Sequence, residues 1–129
     1  MDKERMIEKK LRNLQFGRFA EDKAVAYYAE RGYLIRERNW RFRKIEIDVI
    51  AQLGKEIIFI EVKARSGRNT LAAEAVDYAK MRRMTRGADV YLRRLGGGYE
   101  YRYDIFALEG DMENYKIEVL ENAFYSPLS

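Results

Sequence analysis

The chain contains no cysteine and no histidine in 129 residues, and these two absences remove much of the usual catalytic and metal-binding chemistry. Without thiols there are no disulfides, thiolate nucleophiles or Cys/His zinc sites, and without imidazole there is no side chain that titrates unperturbed near neutral pH. Chemistry must come from carboxylates, lysine, arginine, tyrosine or hydroxyls. Long apolar runs are missing as well. No segment approaches the roughly 18 residues needed to cross a bilayer, and the N-terminal stretch MDKERMIEKK is too polar for a secretory signal, so a cytoplasmic protein with no membrane partner is expected. No repeat or low-complexity tract interrupts the chain, and an apolar share of 47% suits one domain, residues 1–129, around one core.

Charge is abundant but unevenly placed. Residues 31–44 hold six basic side chains and one acidic, residues 80–94 again six and one, and residues 100–129 two and seven, within a net charge of +4. If the two basic segments meet on one side of the fold, they create a field that attracts a polyanion, with phosphate backbones the common partner. A solvated surface is the alternative. The candidate phosphate contacts are Arg36, Arg38, Arg41, Arg43 and Lys44 in the first segment, Arg82, Arg83 and Arg86 in the second, and Arg65 and Arg68 between them.

Periodicity predicts the elements. Residues 1–14 read as a short helix or a mobile arm, and a first main helix runs from Gly17 to Arg31, ended by Gly32. A strand over Tyr33–Phe42 leads into a basic turn. IEIDVIAQL and EIIFIEVKAR then form a hairpin about Gly54-Lys55, a pair that suits a type II′ turn. A long helix is expected over Leu71–Leu95, stopped by Gly96-Gly97-Gly98, and the last two strands are YEYRYDIFAL and YKIEVLENAF. The order α-β-β-β-α-β-β implies a mixed α/β domain, a sheet covered by helices.

The hairpin raises the functional question. Strand alternation sets Glu61, Lys63 and Arg65 on one face with Ile57 and Phe59, and Glu46 and Asp48 on one face with Ile50. A two-residue turn at Gly54-Lys55 pairs Leu53 with Glu56 and, counted back, Asp48 with Glu61 and Glu46 with Lys63. Directly opposed Cβ atoms lie about 4.5–5.5 Å apart, close enough for two carboxylates to share one divalent cation. Without a cation, opposed carboxylates destabilise a sheet. Oxygen donors suit Mg²⁺ or Mn²⁺, which polarise phosphate oxygens, and a nearby lysine can position a water or offset developing charge. The competing reading is a polar sheet face with ordinary cross-strand Glu–Lys pairs. Glu21 in the first helix and Lys80 in the second fall within apolar stripes, each either an inward-facing polar group or a helix-edge residue. Asp104 is an edge carboxylate or an ion-pair partner of Arg102.

Glu21, then Asp48, then Glu61-Val62-Lys63 resemble the PD-(D/E)XK nuclease superfamily, and in particular archaeal Holliday junction resolvases. More closely, Asn39-Trp40-Arg41, Glu46-Ile47-Asp48-Val49-Ile50, Phe59-Ile60-Glu61-Val62-Lys63-Ala64-Arg65, Lys80 and Arg102-Tyr103-Asp104 are similar to the ordered motifs of the YraN-like bacterial family, across about residues 13–109. The resemblance implies a restriction-endonuclease-like core, a mixed central sheet flanked by helices, and Mg²⁺- or Mn²⁺-dependent phosphodiester hydrolysis in DNA, branched or damaged DNA included. It implies Asp48, Glu61 and Glu21 as metal ligands and catalytic carboxylates, Lys63 as the catalytic lysine, and Glu46, Lys80 and Asp104 as supporting residues. The sequence departs from the family pattern at Ile45, where glycine usually precedes Glu-Ile-Asp, and from the superfamily name at Ile47. A non-catalytic nucleic-acid-binding module on the same fold and a protein-interaction domain are the other functional classes. A homodimer would place two centres on two strands.

Overall fold

The computed structural model describes residues 2–66 and 78–123. Its elements are α1 (Lys3–Glu30), β1 (Leu34–Phe42), β2 (Ile45–Leu53), β3 (Glu56–Arg65), α2 (Tyr78–Arg94), β4 (Glu100–Gly110) and β5 (Tyr115–Leu120), the order read from the sequence. They form one sheet in which spatial and chain order coincide, β1-β2-β3-β4-β5. Only the β3–β4 pair is parallel among these neighbours. A parallel pair needs a crossover connection, and α2 lies in it.

The first helix is longer than expected. Asp2 caps it by accepting the Arg5 N–H at 2.8 Å, and Glu4 in the first turn opposes the helix dipole. With that cap and no proline before Gly32, the helix runs unbroken through Gly17, so residues 3–14 are its first half and not a separate arm. Residues 2–15 are exposed on every side, Ile7, Leu11 and Leu14 included. The helix stops at Gly32, whose φ of +88° lets its N–H reach the Ala29 carbonyl while the Tyr33 N–H bonds to that of Tyr28. Residues 71–77 of the expected second helix lie outside the described residues. Its remainder ends at Arg94, ahead of the three glycines.

Each helix covers one face of the sheet. Ala20, Ala24 and Tyr28 of α1 pack with Val49, Ala51, Ile58, Ile60, Phe106 and Leu108. Met84, Ala88 and Tyr91 of α2 pack with Ile47, Ile50, Ile57, Phe59 and Tyr103. Small residues on both helices permit close approach. An added Cβ at Gly87 would stand 2.8 Å from Ile45 Cγ2 and 3.2 Å from Ile47 Cδ1. The side chain of Ile45, which stands where the resembled motif has glycine, therefore packs directly over a glycine of α2.

Asp104 is fully buried on the α1 face and belongs to a structural network. Its carboxylate accepts the Tyr28 hydroxyl at 2.7 Å, Arg102 Nε at 2.9 Å and the Asn122 N–H at 3.0 Å. Arg102 also donates to Glu56 at 2.8 Å and to the Tyr33 hydroxyl at 3.1 Å. Burial, then the adjacent Asp104 carboxylate, pushes the Tyr28 phenol pKa up. Asp104 pairs in register with Ile60, whose side chain faces α1, whereas the next residue, Glu61, faces α2. The expectation that Asp104 supports the Asp48–Glu61 site is therefore corrected: alternation puts the two carboxylates on opposite faces.

Candidate functional site

The β2–β3 hairpin has the register that its turn dictates. Gly54 adopts φ +60° at the first turn position, where a type II′ turn requires it, and the pairs run from Leu53↔Glu56 to Val49↔Ile60. The ladder stops there, one step short of the expected direct pairing of Asp48 with Glu61. In place of a backbone partner, the Val62 N–H donates to Asp48 Oδ2 at 2.8 Å. The strands diverge, and the carboxylate spans the gap.

The β1–β2 pairing is irregular beside this point. Between the pairs Arg38↔Val49 and Trp40↔Ile47 stand Asn39 and Asp48, and Asn39 has φ +50°, a left-handed conformation that asparagine tolerates better than most residues. A register shift between Ile35 and Glu37 adds to it. Strict alternation is lost at Asp48: Ile47 packs with α2, yet Val49, two residues on, packs with α1. The assignment of Glu46 to one face with Ile50 is thereby corrected, since Ile47 and Ile50 both pack with α2. Its expected place opposite Lys63 is corrected too, since it pairs across β1 with Arg41, at 3.4 Å.

On β3 the alternation holds. Glu61 is 6% exposed and shares the α2 face with Phe59 and Lys63. Its Oε1 lies 3.6 Å from Lys63 Nζ and is in direct ion-pair contact with Lys80 of α2. Lys80 is thus an inward-facing partner and not a helix-edge residue. Burial, then the adjacent Glu61 carboxylate, pushes the Asp48 carboxyl up from 3.8 to about 7, with Glu21 adding to the rise. Burial and the neighbouring Lys80 ammonium hold Lys63 below its ordinary range. Burial opposes protonation of Lys80 as well, but its contacts with Glu61 and Lys63 outweigh it and raise the group. Asp48, Glu61, Lys63 and Lys80 therefore form one electrostatic unit.

Glu21 approaches the unit from α1. Its Oε1 is buried and has no hydrogen-bond partner within the described residues, an arrangement that costs about 1–3 kcal/mol unless something else satisfies it. It lies in a groove of about 630 Å³ between α1 and the β1–β2 end of the sheet, lined by Gly17, Arg18, Asp22, Arg38, Arg41 and Glu46 among others. No three carboxylates among the described residues converge as a ready cage for a metal ion. The oxygens that remain suit a more open site: Asp48 Oδ1 and Glu61 as donors, with the orphaned Glu21 oxygen nearby. Mg²⁺ commonly takes one or two protein carboxylates and keeps several waters, so the residues fit such a cation without a complete cage.

The basic side chains divide between the two faces. Arg36 is engaged within the fold, donating to the Tyr91 hydroxyl at 2.8 Å and to Gln52 at 2.6 Å. Arg38 pairs with Asp22 at 2.7 Å. Arg41 and Arg38 line the groove on the α1 side. On the α2 side, Arg43 lies over the Phe42 ring and Arg94 over both Trp40 and Phe42, so the two basic segments do meet at that corner. Lys44, Arg65, Arg82, Arg83 and Arg86 are exposed. Arg68 lies outside the described residues. Arg18 of the groove and Arg94 of the ring corner are not among the expected phosphate contacts, and no sequence pattern marks the Val62 N–H as the group that fixes Asp48.

Fold and site together define a mixed α/β domain with a carboxylate–lysine centre at the point where two strands part. The chain belongs to the uncharacterised protein family UPF0102, whose model matches residues 20–108, and this is the YraN-like family that the motifs resemble. It is 43% identical over 117 residues to a UPF0102 protein of Bacteroides thetaiotaomicron, covering 88% of this chain and 95% of the relative. A UPF0102 protein of Phocaeicola vulgatus is 40% identical over 115 residues, with 88% and 95% covered. One of Syntrophus aciditrophicus is 39% identical over 122 residues, with 92% and 95% covered. No helix among the described residues is long and apolar enough to cross a membrane.

Proposed function

We propose that this protein is a Mg²⁺- or Mn²⁺-dependent endonuclease that hydrolyses phosphodiester bonds in DNA, branched or damaged DNA included. One observation carries the reading: Asp48 and Glu61 come together at the end of a broken β-ladder, beside Lys63, with the Val62 N–H holding one Asp48 oxygen. Burial and the adjacent Glu61 carboxylate raise Asp48 to about 7, and perturbation of this kind is common at functional sites. The similarity of the ordered motifs to PD-(D/E)XK nucleases supports the same chemistry.

Asp48 and Glu61 would hold the cation, with Glu21 at its margin. Bound there, it would supply Lewis-acid polarisation of a phosphodiester oxygen and acidify a water. Lys63, held on the Glu61 side of the cleft, can orient the attacking water or offset charge that develops on the phosphate. Its lowered pKa brings it closer to neutral solution, where proton transfer is most effective. Arg43 and Arg94 at the ring corner, Lys44 beside them, and Arg18 and Arg41 in the groove offer phosphate contacts. Such contacts position a backbone without reading its sequence.

The test is cleavage of branched, nicked and single-stranded DNA with Mg²⁺ or Mn²⁺. Cutting that disappears in Asp48→Asn and Lys63→Met supports the assignment. Absence of cutting on every substrate, or equal cutting by the variants, rejects it. A second reading, a nucleic-acid-binding module without catalysis, is favoured by the Lys80 ion pair on Glu61 and by the incomplete carboxylate cage. It predicts salt-dependent binding that survives Asp48→Asn.

A further inference from the structure

We propose that Lys80 is an internal counter-ion of Glu61 that a divalent cation must displace, so that cation loading and the Lys80–Glu61 ion pair exclude one another. This inference rests on the reading that Asp48 and Glu61 hold a cation, and it adds a control step at that site. Glu61 Oε1 faces two ammonium groups of different origin. Lys63 lies two residues along the same strand face, so the β3 backbone fixes its position. Lys80 reaches in from α2 on a four-carbon stem, and its side chain is 30% exposed against 14% for Lys63. Of the two, Lys80 is the one with room to withdraw.

The charges explain why it sits there. Glu61 is nearly buried and Asp48 stands close by, so without a cation two carboxylates share a poorly solvated cleft. An uncompensated charge in such a place is costly. The Lys80 ammonium offsets one of the two carboxylates in a way that a bound cation would otherwise do. A divalent cation on the same oxygens would stand beside Lys63 and Lys80 at once, and repulsion at contact distance in a partly buried site is several times stronger than in water. Lys80 gives way because it is the more exposed of the two ammonium groups, and a phosphate oxygen of bound nucleic acid would be a suitable new acceptor.

The counter-ion role differs from a supporting role in the sign of a mutational effect. A lysine that merely props Glu61 in position would weaken cation binding when lost, whereas a competing ammonium would strengthen it. The experiment titrates Mn²⁺ calorimetrically into wild type, Lys80→Met and Lys80→Gln near pH 8, with thermal melts of the same samples without metal. Lys80→Met is expected to bind Mn²⁺ about tenfold more tightly and to melt lower than wild type when metal-free. Lys80→Gln repeats the charge removal with a different side chain and guards against a folding artefact of either variant. Unchanged or weaker Mn²⁺ binding in the folded variants overturns the counter-ion role while leaving the cation site intact. Failure of wild type and variants alike to bind Mn²⁺ overturns the cation reading and this inference together.

Discussion

Asp48→Asn isolates the charge at the centre of the site, because asparagine keeps an oxygen that can accept the Val62 N–H at nearly the same geometry. In the metal-free protein, Asp48 is raised from 3.8 to about 7. A carboxyl with a raised folded-state pKa contributes stability that is fully present below its unfolded pKa and is lost as pH rises through the folded value. The wild type should therefore lose stability, relative to the variant, from about pH 4 to about pH 7, and hold a constant difference above that. The interval between 3.8 and about 7, at about 1.4 kcal/mol per pKa unit, sets a ceiling of about 4 kcal/mol. Water reaching the partly buried carboxyl reduces this to about 1–2 kcal/mol. For a domain of this size that is a few degrees in Tm. The assay is thermal unfolding of both proteins in EDTA across this pH range, read as a difference curve, so that the other carboxylates cancel. Near pH 8 the variant should melt higher than wild type, and saturating Mn²⁺ should close or reverse the gap by stabilising wild type alone. A flat difference curve, or a variant less stable than wild type near pH 8 without metal, would refute the reasoning.

Lys63→Met should lower DNA cleavage by about 10²-fold or more while calorimetry still detects Mn²⁺ binding, which separates chemistry from cation capture. Arg102→Ala strands the buried Asp104 carboxylate and should cost about 3–5 kcal/mol in denaturant unfolding; because Asp104 faces α1, Mn²⁺ affinity of the folded variant should stay at the wild-type value. Gly87→Ala puts a Cβ against Ile45 and should cost about 1–3 kcal/mol, and an Ile45→Ala partner change should recover part of the loss in a double-mutant cycle. Arg43→Ala with Arg94→Ala should lower the slope of log binding constant against log salt for DNA by about one to two, measured by fluorescence anisotropy.

Element order was legible in the sequence because each helix and strand carries its own period, stop and turn. The hairpin register was legible for a local reason: Gly54-Lys55 can close only a two-residue turn, and every pair back to Val49↔Ile60 follows from it. Glu61 and Lys63 were placed correctly by alternation along an undistorted strand. Asp48 was not, because the β1–β2 pairing beside it is irregular, with a left-handed Asn39 across the sheet and a register shift at Ile35/Glu37, neither of which leaves a mark in the period of β2. Glu46 goes to Arg41 because the β1–β2 register sets the two opposite each other. Lys80 stands out as a polar residue in an apolar stripe, but its meeting with Glu61 depends on the packing of α2 across the sheet. Asp104 misled for the opposite reason: its neighbours in sequence resemble a site motif, yet the parallel register turns its side chain to the other face. The length of α1 was missed because exposed apolar residues such as Ile7 and Leu11 give no core signal, while the cap at Asp2 is enough to start the helix.

The most direct test of the central claim is the rate of Mn²⁺-dependent cleavage of branched DNA near pH 8 by wild type and by Asp48→Asn, each first shown to be folded. Cleavage by wild type should stop in EDTA and be lost in the variant, even though the variant is at least as stable without metal. Equal cleavage by the two proteins, or cleavage by wild type that persists in EDTA, would contradict that claim.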